Sequence, residues 1–248
     1  MSVSFNSARP GVDVRSTAAF HAAALRPPMS PASVAASLPE HVSTLRDLGK
    51  VQRFARNEAI FHEGDAAQHI LQIVSGTVRL CRHTPDGRRH VAEFVLPGDL
   101  CGVFGGAMQS FTAEAVTDVV AIAYPRAQFD RMAECDPAFR AKVFSHLSTH
   151  LLSVQMHSFV LGCQSAKERL ASFILRLAER TGGIGNGRLE LAMGRQDIAD
   201  HLGLTIETIC RAITALKRER LLEVPSTHQL VLRNVDALSD LAGAASLN

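Results

Sequence analysis

Residues 194–220, GRQDIADHLGLTIETICRAITALKRER, read as two short helices around a tight turn, ending in a cluster of basic side chains. Ile198, Ala199 and Leu202 fall on one apolar face of a first helix. Gly203 stands where a sharp turn needs a residue without Cβ strain. Thr205 is placed to cap a second helix by accepting a hydrogen bond from an otherwise unpaired backbone N–H. In that helix Ile206, Ile209, Ile213 and Leu216 recur at helical spacing and are expected to face the core. Glu207, Cys210, Arg211 and Thr214 then fall on the opposite side. The result is a helix-turn-helix whose exposed face carries a carboxylate and a guanidinium one turn apart, a pairing that can read base edges in the major groove. The bland alternative is two packed helices with a solvated charged face.

The remaining residues give this motif a setting. The chain has 248 residues, which suggests two domains, and 46% hydrophobic residues, enough for two cores. A net charge of +2 does not by itself imply nucleic acid. The local balance is more telling: from Thr205 to Arg220, Glu207 and Glu219 stand against Arg211, Lys217, Arg218 and Arg220, a surplus suited to phosphates. The cysteines, Cys81, Cys101, Cys135, Cys163 and Cys210, are odd in number and scattered, which argues against a secreted disulfide framework and for a cytoplasmic protein. Cys210 is expected at the surface, the other four in the core. No apolar run is long enough to span a membrane. Residues 1–40, rich in Ala, Ser and Pro, read as a flexible tail.

From Leu48 to about Tyr124 the pattern is β, with short alternating runs and turn signals at Glu63-Gly64-Asp65, Ser75-Gly76, Pro85-Asp86-Gly87 and Pro97-Gly98-Asp99. Evenly spaced short strands with glycine corners suggest a small barrel or roll, with Asp86-Gly87 as a hairpin turn. Helical periodicity follows from Arg126 to about Leu161, broken near Asp136-Pro137 and ended at Gly162. Phe144, Leu147, Leu151, Val154 and Leu161, with Ser158 as the polar member, alternate at three and four residues, a two-stranded coiled-coil seam that would make a homodimer. The competing reading is a helix packed on its own domain. Ser165 and Glu168 form a capping box for the next helix, through Leu170, Phe173, Ile174, Leu177 and Ala178. The glycine-rich stretch at 182–187 follows that helix, whereas a phosphate loop follows a strand, so it reads as a flexible link. Residues 221–224 and 230–232 read as a β-wing around Pro225-Ser226-Thr227. No catalytic fingerprint is present, and an enzyme is not expected.

This order of parts resembles the CRP/FNR superfamily of bacterial transcription regulators. The likeness runs from Leu48 to Asn234 and rests on FHEGD at 61–65, SGTVRL at 75–80, PGDLCG at 97–102 and RQDIADHLGLTIETICRAI at 195–213. Residues 111–117, FTAEAVT, with Asp86-Gly87-Arg88-Arg89, look most like the FixK-like branch, tied to low-oxygen and nitrogen-fixation genes. The resemblance implies an α+β chain: the flexible tail at 1–40, a cyclic-nucleotide-binding-like jelly roll at 41–125, a helical linker and dimerisation helix at 126–163, and a winged helix-turn-helix at 164–248. It also implies double-stranded DNA, a second copy of the chain and RNA polymerase as partners, an activating role, and half-sites of the TTGAT kind in a TTGAT-N4-ATCAA-type palindrome.

The recognition pattern Glu-x-x-Ser-Arg stands here as Glu207-Thr208-Ile209-Cys210-Arg211. Arg211 would fork onto guanine and Glu207 accept from a cytosine amino group. Ile206 is a candidate for a thymine methyl, and Arg195, Thr205, Lys217 and Arg218 for phosphates, with a plain solvated surface role as the alternative for those four. Cys210, beside Arg211 where relatives have serine, is a candidate redox site, since oxidation would add bulk and polarity at a surface that must meet DNA. No cysteine precedes Cys81, so the iron–sulfur cluster of oxygen-sensing relatives is not expected. The stretch from Phe104 to Ala115 offers Gly105, Gly106 and Ser110 but no arginine, so a cyclic nucleotide is not expected either. His146 and His150, with His157 two turns on, have a spacing that could hold a metal. A haem- or ligand-dependent sensor is therefore the alternative to a regulator with no metal and no cofactor.

Overall fold

The computed structural model describes residues 49–103 and 106–243, so the tail expected at 1–40 lies outside the described residues. Eight strands come first: β1 (Lys50–Phe54), β2 (Ala59–Phe61), β3 (His69–Ser75), β4 (Val78–His83), β5 (Arg89–Val95), β6 (Leu100–Cys101), β7 (Thr112–Ala115) and β8 (Val119–Pro125). They form two four-stranded sheets, ordered β1-β8-β3-β6 and β2-β7-β4-β5, with antiparallel pairing throughout. Alternation along the strands sends Leu71, Ile73, Val78, Val95, Ala113 and Ala121 inward, where they share one core. The small residues keep the two layers close. Gly76 turns β3 into β4 at φ 88°, and a Cβ there would lie 2.2 Å from the Asp118 carbonyl oxygen. Only glycine fits. This is the expected roll.

Helix α1 (Arg126–Cys135) starts directly after Pro125, and Asp136 separates it from α2 (Pro137–Cys163). Asp136 caps α2 by accepting from the N–H groups of Ala138 and Phe139, with Pro137 at the first helical position where no N–H is needed. Gly162 does not end this helix as its type suggested. It sits one residue from the end, exposed with open space around it, where glycine costs little. One face of α2 remains bare: Phe144, Leu151 and Val154 are 71%, 58% and 48% exposed, and Leu152, Met156 and Phe159 extend the apolar surface beside them.

The C-terminal half comprises α3 (Ala166–Thr181), the short α4 (Gly183–Asn186), β9 (Arg188–Glu190), α5 (Arg195–Leu202), α6 (Ile206–Arg218), β10 (Leu222–Ser226), β11 (Gln229–Leu232) and α7 (Val235–Leu241). The Ser165 capping box on α3 forms on both sides. Two readings need correction here. The glycine-rich stretch at 182–187 is not a plain link: it makes the one-turn α4 and feeds β9, which pairs with β11 to complete a three-stranded wing. The wing turn lies at Thr227-His228 rather than around Pro225, which stands within β10 at its register shift. The described helices include none long and apolar enough to cross a membrane.

Candidate nucleic-acid interface

The helix-turn-helix is built as its residue types require. Gly203 closes α5 in the left-handed conformation at φ 62°, and its N–H donates to the Ala199 carbonyl. Leu204 N–H donates to the same carbonyl at 3.0 Å. The Thr205 hydroxyl accepts from Thr208 N–H at 3.3 Å, capping α6. Ile209, Ala212, Ile213 and Leu216 are the buried side of α6, against Ile198, Ala199 and Leu202 of α5 and the buried face of α3. Each large aliphatic so buried contributes roughly 2 kcal/mol.

Ile206 does not belong to that core set. It is 37% exposed, and Ala212 takes the buried place instead. At the first position of the helix no preceding turn covers it, so its other expected role, on the outward face, is the one its position allows. That face carries Ile206, Glu207, Arg211, Thr214, Lys217 and Arg218 exposed, with Cys210 half-buried among them. Helical spacing puts all seven on one side. Glu207 is held ionised, its carboxyl below the usual range because its own backbone N–H and the Thr205 hydroxyl bond to it, with Arg211 adding to the effect. Arg211 Nη2 rests 3.3 Å from Thr208 Oγ1. Arg195, half-buried at the start of α5, points Nη1 at Cys210 Sγ, 3.3 Å away. Thr205 is exposed beside the turn.

What sets this face in space is a contact the sequence did not disclose. Asp197 of α5 accepts from the Gly194 N–H at 3.2 Å and pairs with Arg79 at 3.1 Å and Arg89 at 2.6 Å. Arg89 also holds Asp200 at 2.8 Å, and Arg79 holds Glu114 at 2.7 Å. His201 Nδ1 lies 3.0 Å from the Val91 carbonyl and so donates to it, and its ring packs edge-on against Phe94 and Phe173. The β4–β5 hairpin thus grips α5, the helix in front of the exposed one. The pairing residues are more than a hundred positions apart, and no local spacing could reveal them.

The other sequence candidates fall differently. Cys81 and Cys101 are buried, and burial pushes their thiols up to about 11 and about 12. Cys135 and Cys163 are exposed, not core as expected, since the helix surfaces they occupy face outward. The described residues hold no group of three or more His, Cys, Asp or Glu side chains able to hold a metal. His150 Nδ1 lies 3.4 Å from Glu93, and His157 stacks on His201 with ring centroids 4.2 Å apart.

A β-roll joined by a long helix to a winged helix-turn-helix with an exposed second helix is the build of a CRP-like DNA-binding regulator. The comparisons agree. The cyclic nucleotide-binding domain family matches residues 51–136, and the Crp-like helix-turn-helix domain family matches residues 168–241. The nitrogen fixation regulation protein FixK of Azorhizobium caulinodans is 39% identical over 78% of this chain and 79% of its own. The transcriptional activatory protein AadR of Rhodopseudomonas palustris is 35% identical over 75% and 80%. The solved structure of FixK2 from Bradyrhizobium japonicum superposes with a TM-score of 0.74 at 32% identity, covering 78% of this chain and 96% of that one. The chain belongs to the CRP/FNR family of transcription regulators, on its FixK-like branch.

The nucleotide in the first family's description does not fit the residues present. Residues 102–115 contain no lysine or arginine, and Arg79 in the neighbouring strand is committed to Glu114 and Asp197. A phosphate held by that segment would find no cation within it.

Proposed function

We propose that this chain is a homodimeric, sequence-specific transcription activator that reads a TTGAT-N4-ATCAA-type palindrome and serves low-oxygen or nitrogen-fixation genes. The observation that carries the reading is the single outward face of α6, with Glu207 and Arg211 one turn apart above a fully packed core. Arg211 reads guanine, Glu207 the paired cytosine, and Ile206 and Cys210 the neighbouring bases, while Arg195, Thr205, Lys217 and Arg218 take phosphates. The names of the FixK and AadR relatives support the target class and the activating role. Contacts of DNA-bound protein with RNA polymerase would complete activation.

The second copy docks on α2. Its seam is Phe144, Leu147, Leu151, Val154 and Leu161, and the exposed apolar surface of that helix supports it. A two-fold pair of α6 helices then spans about one DNA turn, which is why the operator is a palindrome. In this division 41–125 is the roll, 126–163 the linker and dimer helix, and 164–248 the DNA-binding domain. No iron–sulfur cluster takes part. Redox control instead falls on Cys210, half-buried on the reading face beside Arg195. Selection from a random duplex library by the purified, reduced chain tests the proposal. Recovery of inverted TTGAT half-sites is expected; recovery of no motif, or of direct or single sites, would contradict it.

A further inference from the structure

Little backbone joins the long helix to the DNA-binding half. α2 ends at Cys163, and Gln164 and Ser165 are both extended, at φ −102°, ψ 146° and φ −67°, ψ 164°, before α3 begins. Gln164 N–H closes α2 on the Val160 carbonyl at 3.2 Å. The rest of Gln164 is held by the C-terminal half: its Nε2 donates to the Ala242 carbonyl at 2.7 Å, its Oε1 accepts from the Ser172 hydroxyl at 2.9 Å, and its carbonyl accepts from Arg169 at 2.9 Å. The angle between α2 and α3 therefore turns on the torsions of two extended residues, the kind of joint that acts as a hinge. Along its length α2 adds His157, which accepts from Arg176 of α3 and stacks on His201 of α5. The stronger braces come from the roll. Arg180 of α3 pairs with Asp99 and reaches the Phe94 carbonyl at 3.4 Å, but at 40% exposure such a pair contributes little. The tie to α5 is different. Arg79, Arg89, Asp197 and Asp200 are each no more than 22% exposed, and Glu114 of β7 anchors Arg79 in its own sheet.

We propose that the roll sets the half-site spacing this chain accepts, with Arg79 and Arg89 as positioning residues that act on α6 through Asp197 and Asp200 of α5. None of the four touches a base. Their part is to hold the helix-turn-helix at one bearing to α2, and hence the two α6 helices of a dimer at one separation. The geometry of the duplex makes this a matter of specificity. One added or removed spacer base pair moves a half-site about 3.4 Å along the axis and turns it by about 35°. A braced pair of α6 helices cannot follow that shift, whereas a pair hinged at Gln164 and Ser165 can. The inference rests on the reading of a two-fold pair of α6 helices on a palindrome.

The experiment titrates the full, reduced chain by fluorescence anisotropy, at one salt concentration, on TTGAT half-sites inverted across three, four and five base pairs and on a scrambled duplex. The native chain is expected to prefer the four-base-pair spacer over the other two by about tenfold or more, as a misplaced set of base contacts costs. Arg89→Gln leaves Asp197 with Arg79, and is expected to bring the three spacers within about threefold of one another, less than 1 kcal/mol, while all three remain preferred over the scrambled duplex. Asp200→Ala, which breaks the same tie from the α5 side, is expected to act likewise and decides should Arg89→Gln not fold. Arg233→Gln, an exposed arginine paired with Glu223 in the wing, is expected to keep the native spacer ratios. Native spacer ratios in the two variants, or one common loss on all three spacers, would overturn the proposal and leave the tie a purely structural contact. Equal binding of the three spacers by the native chain, each above the scrambled duplex, would overturn it while sparing the half-site reading. Equal binding of palindromes and scrambled duplex would remove that reading and this inference together.

Discussion

Arg211 and Glu207 are exposed and lightly tethered, so little is spent in releasing them to a base pair. Arg211→Ala is expected to relax preference at one guanine position, by about 1–3 kcal/mol in competition between matched and mismatched duplexes. An equal loss on every sequence would make Arg211 a phosphate contact instead. For Cys210, peroxide is expected to weaken DNA binding by the native chain and to leave Cys210→Ser unaffected, although Cys135 and Cys163 are also exposed to the oxidant. Equal sensitivity of the two proteins would remove Cys210 from any redox role. At this scale the sequence was informative: the Gly203 turn, the Thr205 cap and the Ser165 capping box all form as their residue types require. Ile206 misled because periodicity assigns a face and takes no account of where a helix begins.

Among the elements, α2 carries the apolar surface on which the dimer reading rests. Leu151→Glu is expected to convert the chain to a monomer in sedimentation velocity while its far-ultraviolet dichroism stays native. An unchanged mass would place the partner surface elsewhere. The end of α6 holds a second test. Arg220 adopts φ 59°, a left-handed conformation unusual for a residue with a Cβ, while its N–H bonds the Lys217 carbonyl at 3.0 Å. Arg220→Gly is expected to raise stability to urea by about 1 kcal/mol. Strand β9 escaped the sequence because three residues beside a glycine-rich turn give no periodic signal, and only pairing with β11 makes them a strand. The long helices and the roll were legible because repeated apolar spacing and glycine corners recur over many residues.

In the whole molecule, two halves legible separately are joined by contacts that were not. Asp197, with 11% of its side chain exposed, holds Arg79 and Arg89. Asp197→Asn removes the carboxylate the two guanidiniums share, while Arg79 keeps Glu114 and Arg89 keeps Asp200, and is expected to cost about 1–2 kcal/mol in urea denaturation. Acid should loosen the same junction. Burial, then Arg176, hold His157 down to about 4, and burial, then His157, hold His201 down to about 3, both below the ordinary 6.5. Between about pH 4 and 6.5 the unfolded chain therefore takes up protons the folded chain refuses. Their contribution to stability is complete above 6.5 and is lost as pH falls from there. Burial lowers His146 in the same sense, whereas Glu93 raises His150 and opposes part of the effect. The urea midpoint is expected to drop from neutral pH to about pH 5, less steeply in His157→Gln; parallel curves would exclude the pair. The central claim is sequence-specific reading by a two-fold pair of α6 helices. Fluorescence anisotropy of the reduced chain, without added ligand, on a TTGAT-N4-ATCAA duplex and a scrambled duplex at one salt concentration tests it most directly. The account expects strong preference for the palindrome; equal affinity for both duplexes would contradict it.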